Sequence, residues 1–175
     1  MTITHRPRRG FALAAAFLLS LGSLSAASVA AAGPPTAAPA AVSVGDVRFA
    51  TFNASLNRAA EGALIRDLSV RGNAQADAVA EIIQRANPDV LLINEFDYDA
   101  GGRALQLFHD NYLAVPHGDA PAVAYPYQYT APVNTGVPSG FDLNNDGRVA
   151  GGDDAWGFGL FPGQYGMAVY SKYPI

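Results

Sequence analysis

Apolar and polar positions alternate at the start of the readable pattern. In "DVRFATFN", Val47, Phe49 and Thr51 alternate with Arg48, Ala50 and Phe52. That two-residue period predicts a strand ending at Asn53. The period changes in "NAQADAVAEIIQRANPD", where Val79, Ile82, Ile83 and Ala86 recur at helical spacing. Asn73 can cap this helix, and Asn87-Pro88 stops it. "DVLLIN" follows at once, a short continuous apolar run of the kind found in buried strands. Strand, helix and strand in this order normally make parallel neighbours joined by a crossover. Asn53 and Glu95 then leave the sheet at the same, carboxyl, edge. Further on, "GRALQLFHDNYL" sets Leu105, Phe108 and Tyr112 on one side of a second helix, and "YPYQYTAPV" and "GMAVYSKYPI" read as two more strands. No internal repeat is present. The pattern predicts an α/β layer, one mixed sheet with helices on one face and an apolar face left open.

The first 45 residues follow a different rule. Arg6, Arg8 and Arg9 precede the apolar run "FALAAAFLLSLGSLSA", and the small residues "ASVAAAG" come after it. This is the three-part layout of an export signal over residues 1–32. A membrane anchor is the alternative, but the strongly apolar part is shorter than the roughly 20 residues a spanning helix needs. Paired arginines before Gly10-Phe11 fit a twin-arginine signal as well as an ordinary secretory one. Residues 33–45, "GPPTAAPAAVSVG", form a Pro/Ala-rich linker. The expected location is secreted, cell-surface or periplasmic, with no membrane anchor after the signal is removed. Residues 46–175 are the expected domain, with a Gly- and Asp-rich insertion at 134–166.

Charge narrows the partners. The formal net charge is −4, and loss of the three leader arginines makes the remainder more acidic. Such a chain gains no diffuse attraction to nucleic acid or to an anionic membrane, so a phosphate-bearing partner needs local help such as a metal ion. There is no cysteine, so disulfides contribute nothing to stability.

The candidate chemistry begins where "DVLLINEFD" surfaces. Ligands in open α/β sheets gather where the carboxyl ends of the strands emerge. A carboxylate there can hold a hard cation, with water and substrate phosphate completing the shell. Glu95 fits a metal ligand, and Asn53 fits an amide that hydrogen-bonds phosphate or the attacking water. The plain alternative is a solvated Glu95 and a turn-capping Asn53.

"VRFATFN", the helix, "ANPDVLLINEFD" and then "YGMAVYSKYPI" together resemble the endonuclease/exonuclease/phosphatase superfamily, over about Val47 to Ile175. The resemblance implies that Asn53 ends the first motif and that Glu95 binds a magnesium- or manganese-type ion. Asn94 stands where that family usually has Gln. It further implies a four-layer α/β-sandwich of which this chain would supply the N-terminal half. The family's Asp-x-Asn pair and its water-activating Asp and His would fall beyond Ile175, leaving this chain weakly active or inactive. His109 and His117 do not stand in for that His: the first is expected at the surface or in packing, the second solvated. The activity implied is metal-dependent hydrolysis of a phosphate ester.

A second constellation lies in "DLNNDGRVAGGD". Asp142, Asn144, Asp146, the Arg148 carbonyl and Asp153 fall at the ligand spacing of a calcium loop, with Gly147 at its turn. Asp153 is shorter than the usual Glu, and neither flank is helical. An Asx-rich turn without an ion is the alternative. On this reading the chain is a non-catalytic, calcium-binding extracellular interaction module. Trp156, Phe158, Phe161 and Tyr165 follow, either a stacking surface or, the commoner case, a loop folding onto a small core of its own. Arg58, Arg66, Arg71 and Arg103 could meet phosphate at the active edge; scattered arginines are more often simply solvated.

Overall fold

The computed structural model describes residues 45–175. The export signal expected over 1–32, and all of the expected linker except residue 45, lie outside them. The described elements are β1 (Phe49–Asn53), α1 (Ala63–Leu68), α2 (Ala74–Ala86), β2 (Val90–Asn94), α3 (Arg103–Phe108), β3 (Tyr127–Tyr129) and β4 (Met167–Ser171). A π-helical turn, His109–Leu113, continues α3, and Gly152–Asp154 form a 3-10 turn.

The four strands make one mixed sheet in the order β1-β2-β4-β3. β1 and β2 are parallel, as the crossover through α2 requires, with Asn53 opposite Asn94. β4 runs antiparallel to β2 and pairs Met167 with Asn94. The segment that precedes β4, including the whole insertion, is therefore delivered to the edge where β1 and β2 end.

Alternation along the strands separates two faces. Leu91, Ile93, Ala168 and Tyr170 are buried, and they join Leu64, Leu68, Ile83 and Phe108 of the helices in one core. On the other face Phe49, Tyr129 and Met167 are exposed. Helices on one side and an open apolar side on the other is the α/β layer expected from the pattern.

Several local expectations change. Asn73 does cap α2, accepting the Ala76 amide at 3.0 Å, and Asn87 ends it in the left-handed conformation at φ 44°. The buried stripe, however, is Ala76, Val79, Ala80 and Ile83; Ile82 is 52% exposed. α2 makes its close approach to the His109–Leu113 turn, and Ile82 lies off the buried stripe beside a cavity next to β1. β3 is only three residues long, because Pro126 and Pro132 bound it and offer no amide to a ladder. α1 has no clear signal in the sequence; six residues bury Leu64 and Leu68 at i, i+4 spacing.

His117 is not solvated. Its ring lies 3.1 Å from Gln84 Oε1 and 3.1 Å from Asp77 Oδ1, so a loop that looks exposed in sequence is tied onto α2. Gln84 itself is buried, and its Nε2 donates to the carbonyls of Tyr112, Leu113 and Val115, the last at 2.7 Å. Replacing that amide by a hydrocarbon of similar size strands buried carbonyls. Gln84→Leu is expected to lower stability by about 2–3 kcal/mol, read as a lower urea midpoint at an unchanged m-value.

Candidate active site

Asn53 and Glu95 meet. Parallel pairing ends β1 and β2 together, and Asn53 Nδ2 donates to Glu95 Oε1 at 2.7 Å. The other carboxylate oxygen, Oε2, accepts from Asn57 Nδ2 at 3.0 Å and, at a longer 3.4 Å, from Ser55 Oγ. Asn53 Oδ1 in turn accepts the Ser55 amide at 3.0 Å. Amide and hydroxyl groups thus fix Glu95, and no cationic side chain takes part in that set of bonds. Arg58 lies close in sequence, but its guanidinium pairs with Asp67. Asn94 turns to the open sheet face and donates to Thr51 Oγ1 at 3.0 Å.

The backbone around this carboxylate is strained. Ser55, Glu95 and Tyr165 have φ of 50°, 57° and 58°, a left-handed conformation that side chains with a Cβ seldom adopt. Such strain persists only where neighbouring contacts over-determine it. Here the holding group is Asp97, which is 6% exposed. Its carboxylate accepts the Arg58 amide at 2.7 Å and the Tyr165 amide at 3.2 Å. Burial pushes the Asp97 carboxyl above its ordinary range while the two amides pull it back. Buried Gln164 adds a second tie, donating to the Arg58 carbonyl at 2.6 Å and accepting the Leu160 amide at 2.6 Å. The segment after β1, the segment after β2 and the end of the insertion are therefore pinned to one another beside Glu95.

Residues 50–175 match the family model described as the endonuclease/exonuclease/phosphatase family. The chain belongs to the endonuclease/exonuclease/phosphatase family. Its members are phosphoesterase- and nuclease-type hydrolases that generally use divalent metals. No curated protein and no solved structure gives a match. In this family member the mixed sheet and its helices agree with a partial α/β-sandwich.

The remaining sequence candidates are placed as follows. Asp142 accepts the amides of Asp146 and Gly147 at 3.1 and 2.9 Å, and Asn144 Oδ1 accepts the Asp146 amide at 3.0 Å. Asp146 Oδ1 accepts the Arg148 amide at 2.9 Å, and Gly147 makes the turn at φ 84°. Asp142, Asn144 and Asp146 are thus gathered on one turn. Asp153 is exposed in the 3-10 turn, and among the described residues no three His, Asp or Glu side chains converge as a metal-binding group. His109 packs against Tyr170 and accepts the Tyr125 amide at 3.2 Å. Arg103 reaches Gln106, and Arg66 and Arg71 make no ion pair among the described residues.

Three participants escaped the sequence reading. Asn57 carries a weak signal, an Asn four residues past the strand end; Gln164 carries none. The third, Asp154, lies next to the expected ligand Asp153 and is 3% exposed. Its two oxygens accept the Leu143 amide at 2.7 Å and the Ala150 amide at 2.8 Å, closing the loop at both ends. The Ala150 amide, then the Leu143 amide, hold its carboxyl below the ordinary value of 3.8. A depressed carboxyl gives stability that is full above that value and is lost as pH falls through the lower folded value. Asp154→Asn is therefore expected to lower Tm near neutral pH, with the gap to wild type shrinking as pH drops below about 4. Paired thermal melts across the acid range measure it.

Proposed function

We propose that this protein is an exported, metal-dependent phosphoesterase that works through Glu95 and Asn53. The observation that carries the reading is the 2.7 Å contact between these two side chains at the shared carboxyl edge, within a family of phosphoester hydrolases. Export is supported by the leader pattern of residues 1–32.

The residues present fit a hard divalent cation. Both Glu95 oxygens face only neutral amide and hydroxyl donors, so the carboxylate's charge is uncompensated by protein, and its oxygen chemistry suits magnesium or manganese. Glu95 would hold the ion, with water and phosphate oxygens as the other ligands; when bound, the ion supplies positive charge to the phosphoryl group. Asn57 keeps Oε2 oriented. Asn53 has a second N–H that no described residue takes, and that proton is free to hydrogen-bond a phosphate oxygen and orient the ester for in-line attack by water. His109 and His117 are committed to other partners, so neither serves as the base. The substrate class is a phosphate ester; the acidic charge balance disfavours a dedicated binder of nucleic-acid duplexes.

Glu95→Gln keeps the side chain's size, removes the charge and sets one N–H donor against the Asn53 or Asn57 amide. It is expected to abolish Mn2+ binding seen by electron paramagnetic resonance and to cut whatever hydrolysis of bis(4-nitrophenyl) phosphate the chain supports at least a hundredfold, roughly the loss of one main electrostatic group. Asn57→Ala should weaken Mn2+ by about 10–100-fold, the effect of losing an outer-shell partner. Full activity and Mn2+ affinity in Glu95→Gln would end the reading.

The second reading, a calcium-binding interaction module, rests on the turn that gathers Asp142, Asn144 and Asp146 around Gly147. On that reading calcium at about a hundred times its Kd adds about 2.7 kcal/mol to stability, and Asp142→Ala removes the increment. A Tm indifferent to millimolar calcium eliminates it and leaves Asp154 as the loop's organiser.

A further inference from the structure

The aromatic stretch after the loop does not fold onto a core of its own. Trp156, Phe158 and Leu160 are 59%, 55% and 60% exposed, while Ala155 and Gly159 between and beside them are buried. The sequence Trp-Gly-Phe-Gly-Leu explains why. A Cβ at Gly159 would lie 2.6 Å from the Gly136 nitrogen, and one at Gly157 would lie 3.2 Å from Thr135 Cγ2. The glycines let this segment press its backbone against residues 134–136, where the Gly136 amide bonds the Gly157 carbonyl at 2.8 Å. Trp156, Phe158 and Leu160, which alternate with these glycines, keep their side chains exposed.

This segment is linked to the Glu95 site through hydrogen bonds. The Leu160 amide bonds Gln164, whose other end bonds the Arg58 carbonyl, and Arg58 follows Asn57, a donor to Glu95. The Phe158 ring sits 6.1 Å from the Tyr165 ring, and the Tyr165 amide bonds Asp97, two residues past Glu95. A hydrogen-bond relay and one ring contact therefore tie this exposed apolar segment to the residues on either side of Glu95. The surrounding charge selects the occupant. Residues 141–160 carry Asp142, Asp146, Asp153 and Asp154 against a single Arg148. Polyanions and anionic bilayers are repelled by such a segment; the apolar part of one small ester is not.

We infer that Trp156, Phe158 and Leu160 form the subsite for an apolar organic group, aryl or alkyl, esterified to the phosphate held at Glu95. The inference rests on the phosphoesterase reading and adds the class of alcohol that the substrate carries. Burying an aromatic ring against Trp156 and Phe158 contributes through apolar area and ring packing.

Trp156 is the single tryptophan of the chain, so its fluorescence reports this strip alone. With Mg2+ present, phenyl phosphate, methyl phosphate and inorganic phosphate are titrated by calorimetry, and Trp156 emission is followed in parallel. Phenyl phosphate is expected to bind about five- to tenfold more tightly than methyl phosphate, the effect of one aromatic contact, and to be the one that changes Trp156 emission. Leu160→Ser and Phe158→Ser should each reduce that preference while leaving inorganic phosphate affinity unchanged. Glu95→Gln should weaken all three ligands by the same factor. Equal affinities for phenyl and methyl phosphate in the wild type overturn the subsite; so does an emission change produced by phosphatidylcholine vesicles but not by phenyl phosphate. Inorganic phosphate affinity insensitive to Glu95→Gln instead overturns the phosphoesterase reading beneath it.

Discussion

Parallel pairing of β1 with β2 is the constraint from which the site follows. Ala74–Ala86 must carry the chain back across the sheet before β2 begins, so both strands run the same way and finish at one edge. Register then matters as much as direction. A slip of one residue would exchange the two faces of a strand, turning Asn53 toward the core and Phe52 toward solvent. The alternation of Ala50 and Phe52 inward with Phe49 and Thr51 outward fixes that register through burial, and the meeting of Asn53 with Glu95 is its consequence.

What the strands bring together, a buried polar hub keeps in place. Three residues in left-handed conformations surround the carboxylate, each at a cost of order 1–3 kcal/mol. Asp97 and Gln164 offset that cost by accepting and donating to backbone groups of three separate segments. Buried carboxylates and amides of this sort stabilise only when every oxygen and proton is used, and here the backbone supplies the partners. The result is a Glu95 whose orientation owes little to its own rotamer freedom and much to the groups behind it.

The same edge receives the end of the long insertion. β4 is antiparallel to β2, so its first residue sits beside the last residue of β2. Residues 134–166 are delivered next to Glu95 by topology. Asp154 closes the acidic turn, Gly157 and Gly159 let the following segment lie against residues 134–136, and Trp156, Phe158 and Leu160 remain exposed. A loop whose length already sets it apart in the sequence is, in the folded chain, tied to the segments that follow β1 and β2.

Much of this was legible beforehand because it rests on local rules. Helical spacing and an Asn cap give α2, a continuous apolar run gives β2, and their order gives a parallel pair; Asn53 and Glu95 at one edge follow from chain order alone. Other features depend on which distant groups share an environment. Ile82 and Ile83 look equivalent in a helical stripe, and only the packing of the folded chain buries the second and exposes the first. Asp153 and Asp154 are neighbours of one chemical type, yet the fold buries the second and exposes the first. Asn57 and Gln164 acquire roles through partners 38 and 106 residues away. Periodicity and chain order sufficed to bring an amide and a carboxylate to one rim, because backbone geometry enforces both. Which oxygens are buried, which backbones are strained and which aromatic rings face outward were left to tertiary packing, where solvent exclusion at each position depends on every segment at once.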